Sequence, residues 1–517
     1  MRSLVMVIIV AAATLSGSAE DFTHESAPQL SDAELGHLRH FVTLANQDLD
    51  DWTGFEASNQ KSLEAYRYQL AFMTYALALQ QYHSVPAYRD LYQDTIDRLV
   101  ERMLQKPVWE FWEEVSKSSK KFDPDFLGDE EASRDPVGAK NIMYSGHVIH
   151  MIALYEMLYR DMGWSAPGAL TFRWDENEAY IYDYAKLVDI IHQEMMAPRM
   201  DHTKDVGAME CEPNLVFPEC NQHPTLAFML FDHLHGTDYG LRTTSAFKGF
   251  MDNTEMHSVE TKRTAAFYMI KQDKTARFPT VDSGSADGWT GSFMHVWDPK
   301  HIESLYTQQR AAYVLGTGES FSLAPEPSRA QGPGFFATLA KEVGDLDTAE
   351  AILDYAHSSY KTKDDARGYR FEYNPGDERY PANNTTDKLF AMAESNRPNG
   401  LWKLHNEPWD RKAFAHPLLA GVDFPNVLVR QAVWDDETET LLFTLEPSGD
   451  EPVFTTFRIE NIYTNYLSLL HQNGEFRAAI DEHAQVAGEN TRNLEPGSIE
   501  ITTTLDGPTR FTLKPMV

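Results

Sequence analysis

Cysteine is almost missing: Cys211 and Cys220 are the two in 517 residues. In an oxidising compartment two thiols nine positions apart form a disulfide by default, and that reading stands beside any catalytic use of them. Basic residues are scarce as well, 45 against 78 acids, for a formal net charge of -33. Such a surface repels nucleic-acid phosphates and anionic headgroups, so no nucleic-acid partner is expected. Past the N-terminus no apolar run reaches the roughly 20 residues a spanning helix needs, which excludes a membrane span. Glycine-rich phosphate loops are absent, and so is a DDxxD-like magnesium site. His233-Leu234-His235 and the pair His147 and His150 repeat no recognised ligand pattern. No cofactor and no metal are therefore expected.

What is present starts with a short basic beginning, Met1-Arg2, then an apolar run from Leu4 to Leu15 and small residues at Gly17-Ser18-Ala19. This is the pattern of a secretory signal peptide over 1–19, and it places the mature protein outside the cytosol. Overlapping glycosylation sequons at Asn383-Asn384-Thr385-Thr386 fit that route. From about residue 30 to 400 helical periodicity dominates, as in Leu63, Tyr66, Leu70, Met73 and Leu77, or Met143, His147, Met151, Leu154 and Leu158. Further helices are expected near 182–195, 225–234, 304–315, 335–343 and 349–360, the last two joined by Gly344-Asp345. Successive helical hairpins separated by long loops suit an (α/α)6 barrel over 20–404. After 405 the texture turns β-rich, with strands at 427–434, 438–445, 453–462, 499–505 and 510–514. Asp506-Gly507 reads as a hairpin turn between the last two.

Three segments carry chemistry. His147, close behind Asn141-Ile142-Met143-Tyr144, lies at a helix start, where an imidazole can move a proton or simply bond to backbone. The loop from Glu210 to Gln222 holds both thiols with Glu210, Glu212 and Glu219, stiffened by Pro213 and Pro218. Carboxylates beside thiols in a dry pocket acquire raised pKa values and act as acids; the alternative is a disulfide-pinned surface loop. Asp48-Leu49-Asp50-Asp51 closes a helix with carboxylates, either solvated or partnering His147.

Together these segments resemble the linalool dehydratase/isomerase family. Asn141-Ile142-Met143-Tyr144 with Gly146-His147 is similar to its NIMYxGH stretch. Cys211-Glu212-Pro213, Phe217 and Cys220-Asn221 are similar to its CEPxxxF…CN loop, and Leu234-His235-Gly236-Thr237-Asp238-Tyr239 to its LHGTDY. Tyr68 with Ala71-Phe72 and Tyr75, Val108-Trp109 with Trp112-Glu113-Glu114, and Trp289-Thr290 with Asp298-Pro299 fall in matching order. The resemblance implies an α/α barrel, a homo-oligomer, and an apolar pocket for a hydrophobic prenyl-type molecule. It makes Cys211 and Cys220 acid/base or covalent groups and His147 a proton relay or positioning residue. Asp48, or in its place Asp50 or Asp51, would match a family aspartate. Tyr68, Met143, Glu212 and Phe217 would line the pocket, joined by Glu219, Asp287 and Trp289. The chain departs from the pattern where a family glutamine is Glu219 and a family tyrosine is Ser285, with Asp287 nearby. The expected activity is cofactor-free removal or shift of a hydroxyl on an allylic or tertiary alcohol. Rival readings are a protonation-started terpene cyclase, to which Asp48-Leu49-Asp50-Asp51 would lend a DxDD acid, a carbohydrate-active barrel enzyme, and a secreted binding protein.

Overall fold

The computed structural model describes residues 22–516 apart from 129, 139, 198–206, 278–283, 325–331, 373–383, 463–465, 482, 484, 495 and 496. The leader expected over 1–19 lies outside the described residues.

Among the described residues, twelve helices of eleven residues or more build the first region. They are α1 (Asp32–Ala45), α2 (Tyr66–Ser84), α3 (Asp90–Met103), α4 (Ile142–Tyr159), α5 (Tyr184–Met196) and α6 (Gln222–His235). Then come α7 (Tyr239–Asn253), α8 (Gly284–Met294), α9 (Pro299–Tyr313), α10 (Gly332–Glu342), α11 (Leu346–Ser359) and α12 (Asn384–Ser395). The even-numbered helices touch in a closed ring, α2 to α4, α6, α8, α10, α12 and back to α2. The odd-numbered helices lie outside: α1 and α3 against α2, α5 against α4, α7 against α6, α9 against α8, and α11 against α10. This is the expected (α/α)6 barrel.

Of the helices the sequence did not announce, α8 and α12 belong to the ring and α3 and α7 lie outside it. A helix enclosed on every side has no polar stripe, so its apolar positions lose their period. In α8 and α12 the composition is also small and polar, as in Gly284-Ser285-Ala286-Asp287-Gly288, because close neighbours leave little room. A Cβ on Gly288 would stand 2.7 Å from the Phe335 carbonyl carbon, and one on Gly334 2.7 Å from the Leu389 Cβ. The outer helices α3 and α7 present mostly polar faces, with Phe247, Phe250 and Met251 among the few buried residues of α7.

The last region is two antiparallel sheets. Six strands run in the order 427–435, 440–447, 509–515, 468–472, 475–480, 486–488, and four in the order 418–420, 453–460, 499–505, 491–493. Phe457 of the smaller sheet meets Phe443 and Phe511 of the larger at ring distances of 5.5 and 5.2 Å. The hairpin expected at Asp506-Gly507 is not one. Ile499–Leu505 pairs with Val453–Glu460, whereas Thr509–Pro515 pairs with Thr440–Pro447 and Ser468–Gln472. The turn is a corner between sheets, with Gly507 at φ 84°. The segment before α1 also lies against this region: the Leu30 N–H donates to the Arg430 carbonyl at 2.8 Å, and Gln431 Nε2 to the Ala27 carbonyl at 2.9 Å. The sheets meet the barrel at the α2–α3 connection, where Ala87 N–H donates to Ala432 and the Leu419 N–H to Ala87.

The sequon at Asn384 is closed to glycan. Asn384 opens α12, is 8% exposed, and its amide nitrogen donates to the Glu56 carbonyl at 3.0 Å and the Glu56 carboxylate at 3.1 Å. Asn383 lies outside the described residues. Among the described residues no helix is long and apolar enough to cross a membrane.

Candidate active site

The thiol loop is tied shut by its own polar side chains. Leu215 N–H donates to the Glu212 carbonyl and Cys211 N–H to the Leu215 carbonyl, both at 2.9 Å, a tight turn that Asn214 permits at φ 75°. Asn221 then joins the two ends. Its Oδ1 accepts from Met209 N–H at 2.8 Å, and its Nδ2 donates to the carbonyls of Met209 at 3.0 Å and Phe217 at 2.9 Å. Ile142 N–H, at the start of α4, donates to the Glu210 carbonyl at 3.2 Å and docks the loop on the ring. The result brings the two sulfurs together beneath the N-terminal ends of the inner helices, at the end of the barrel away from the α2–α3 connection that receives the sheets.

There they border a cavity of about 370 Å³. Cys211, Glu212, Glu219 and Cys220 supply its polar floor. Tyr68 from α2, Met143 from α4, Phe217 from the loop, and Ala286 and Trp289 from α8 are its apolar walls. Lys61, Ser62 and Leu63, just before α2, and Ser285 complete the lining.

Both cysteines are free and buried, so the disulfide alternative is overturned. Their thiols are hydrogen-bonded: Cys211 donates and the Cys220 sulfur accepts. Burial pushes both thiols above their ordinary value, opposed at Cys220 by the bond from Cys211. Burial also pushes Glu212 up to about 7 and Glu219 up to about 8. Each of these carboxyls accepts from its own backbone N–H, and each has a buried Oε2 without a hydrogen-bond partner. At neutral pH the floor therefore holds two protonated thiols, a protonated Glu219, and a Glu212 present in both its protonated and ionised forms.

His147 sits elsewhere than expected. It is fully buried within α4, one layer behind the wall, with its ring 5.5 Å from Tyr68 and 6.3 Å from Trp289. Its Nδ1 is 2.8 Å from the Tyr75 hydroxyl, its Nε2 has no partner, and burial lowers it to about 3. A chain of neutral imidazoles continues from the wall. Trp289 Nε1 donates to His223 Nε2 at 2.9 Å, and His223 Nδ1 meets His150 Nδ1 at 3.3 Å. His150 Nε2 meets His405 Nε2 at 2.9 Å, and His405 Nδ1 donates to the Leu401 carbonyl at 2.8 Å. One assignment of neutral tautomers satisfies every link, so the chain fixes the plane of Trp289. Sequence reasoning passed over His223, although it stands one helical turn after Cys220 as His150 does after His147.

Two expected residues lie away from the cavity. Asp287 is buried, but its carboxylate is committed to Arg263 and, at 2.7 Å, to Thr264 N–H. It points between helices because Trp289, two positions on, takes the cavity-facing side of α8. Asp48, Asp50 and Asp51 are exposed on the loop after α1, where Asp51 accepts from Thr53 N–H at 2.9 Å. None of the three is bonded to His147, whose ring packs on Tyr68, Phe72, Tyr75, His223 and Trp289. Trp52 stacks on Tyr66 at 4.4 Å. Among the described residues no group of three or more histidines, cysteines or acids is arranged to hold a metal ion.

Fold and site define a helical-barrel protein with an acidic, thiol-bearing floor under an apolar chamber. A family model described as linalool dehydratase/isomerase matches residues 67–376, and the chain belongs to that family. Membership supports an enzyme with dehydratase/isomerase-type activity. Solved structures with some likeness include a polysaccharide lyase, 12% identical over 71% of this chain and 97% of that one, with a TM-score of 0.39. An unsaturated glucuronyl hydrolase specific for heparin is 10% identical over 73% of this chain and 99% of that one, at 0.41. A glycosyl hydrolase family 88 protein from Bacteroides vulgatus is 11% identical over 71% and 98%, at 0.38. Likenesses at this level carry no argument about activity.

Proposed function

We propose that the protein is a cofactor-independent hydro-lyase/isomerase acting on an allylic or tertiary prenyl-type alcohol. The observation that supports this reading is the floor itself: two unpartnered carboxyl oxygens and two hydrogen-bonded thiols facing one apolar cavity. Loss of water needs an acid at the hydroxyl oxygen and a base at a neighbouring C–H. Glu219, protonated at neutral pH, gives its proton to the hydroxyl; the C–O bond breaks and water leaves. The Glu219 carboxylate left behind takes the Cys220 thiol proton and the thiolate takes the neighbouring C–H proton, or ionised Glu212 takes it and returns it to Glu219. The C–H electron pair becomes the new double bond, and the floor ends as it began. Water returning to the far end of the allylic unit completes the isomerisation. Tyr68 and Trp289 set aromatic faces beside the carbon skeleton, where developing positive charge is favoured. His147 and His223 hold those walls in place.

This role leaves the DxDD acid of a cyclase without a seat in the cavity. Export from the cytosol and assembly into a homo-oligomer belong to the same proposal. Incubation with linalool, geraniol and longer prenyl alcohols, beside a panel of oligosaccharides, tests it. Diene or rearranged alcohol formed by the wild type and lost in Cys220→Ala is expected. Cleavage or epimerisation of a sugar, with every prenyl alcohol untouched, would overturn it.

A further inference from the structure

Arg67 is the buried charge that this account has not used. The residue is 1% exposed, second in α2, and its guanidinium lies between the rings of Tyr68 at 4.5 Å and Phe111 at 4.2 Å. Nη1 donates to the Gln60 carbonyl at 2.6 Å, Nη2 reaches the Met143 sulfur at 3.5 Å, and buried Nε has no hydrogen-bond partner. No ion pair within 4.0 Å involves it among the described residues. A buried cation without a carboxylate is expensive. Lys388 has Asp387 at 2.8 Å, and Arg102 donates to four backbone carbonyls, whereas Arg67 has one carbonyl and an Nε left over. Arg67 instead lies against two walls of the chamber, Tyr68 and Met143. Its charge favours the ionised forms of Glu212, Cys220 and Tyr68 and the neutral form of His147, and Lys121 acts on Glu212 in the same sense.

We propose that Arg67 is the counter-cation of the chamber, a positioning residue that balances the negative charge left on the thiol–carboxyl floor once it has given up a proton. The proposal rests on the dehydratase/isomerase reading and deepens it. Protonation of the hydroxyl leaves a conjugate base behind, and the inner-helix N-termini at this end of the barrel favour that negative charge as well. A guanidinium beside the wall also disfavours a long-lived free carbocation. The chemistry is thereby steered to proton removal or re-addition of water rather than to cyclisation.

The test is the pH dependence of iodoacetamide alkylation at Cys220, followed by mass spectrometry, in the wild type, Arg67→Met and Arg67→Lys. Removing an adjacent cation raises the pH at which a thiol ionises. The Met variant should therefore alkylate with a midpoint higher by about one pH unit, while Lys stays near the wild type. The alkaline limit of turnover should move in the same direction. Arg67→Gln keeps a donor for the Gln60 carbonyl and supplies the neutral variant if Met does not fold. A folded neutral variant with an unmoved midpoint, or an equal shift in Lys, overturns the role of charge. If the midpoint moves but the wild type turns over no prenyl alcohol, the counter-cation stands and the proposed reaction falls. Turnover with an unmoved midpoint does the reverse.

Discussion

Replacing Glu219 with glutamine should make the protein more resistant to alkaline pH. In the folded chain burial lifts this carboxyl from its ordinary 4.5 to about 8. A carboxyl raised on folding binds its proton more tightly in the folded state than in the unfolded state. The stability it contributes is therefore fully present below 4.5, declines as pH rises, and is gone above about 8. One pKa step is about 1.4 kcal/mol, so the interval corresponds to a loss on the order of 5 kcal/mol, an upper bound if water enters the cavity on ionisation. Because general charge repulsion at a net charge of -33 also grows with pH, the informative quantity is the difference between wild type and variant. Urea unfolding at about pH 5 and about pH 9 measures it. The gap should widen in favour of Glu219→Gln by several kcal/mol between those values, with a smaller slope remaining from Glu212. A gap that stays constant would mean that Glu219 titrates as it does in the unfolded chain, and a floor that cannot hold a protonated carboxyl cannot deliver the acid.

Cys211→Ala and Cys220→Ala should each lower turnover by roughly 10²–10⁴-fold while far-ultraviolet circular dichroism stays unchanged, since no disulfide is lost. Gly288→Ala places its Cβ 2.7 Å from the Phe335 carbonyl carbon and the Phe336 nitrogen, so α8 and α10 must separate. A loss of about 1–3 kcal/mol by urea unfolding is expected. Asp287→Asn strands the guanidinium of Arg263, 12% exposed, without its counter-ion. Unfolding experiments should show a cost of about 3–5 kcal/mol, and an unchanged melting temperature would return Asp287 to the list of free acids.

The barrel was legible in the apolar positions of α2, α4, α6 and α10 and in the pair joined by Gly344-Asp345. It was not legible in the small, polar α8 and α12, nor in the outer α3 and α7, whose few buried residues are spread among charged and polar ones. Thiols and carboxyls were legible because they share one loop, which Asn221 then closes. Spacing could not reveal which side of α8 faces the cavity, and so it offered Asp287 together with Trp289. Nor could it separate His147 from the chamber, because a helix shows which residues share a face but not how many layers lie between that face and a cavity. Arg67 escaped notice because a lone arginine beside an aromatic residue looks like any solvated charge until its burial is seen. The turn at Asp506-Gly507 shows the same limit in the sheets: a local signal fixes the bend and leaves the partners open.

Breaking of the carbon–oxygen bond at the thiol–carboxyl floor is the central claim, and oxygen exchange reads it directly. A tertiary prenyl alcohol incubated with the protein in water enriched in heavy oxygen should return with the label in its hydroxyl, and Cys220→Ala should stop the exchange. Unlabelled alcohol recovered from the folded wild type across a range of prenyl chain lengths, or exchange that continues undiminished in Cys220→Ala, would contradict it.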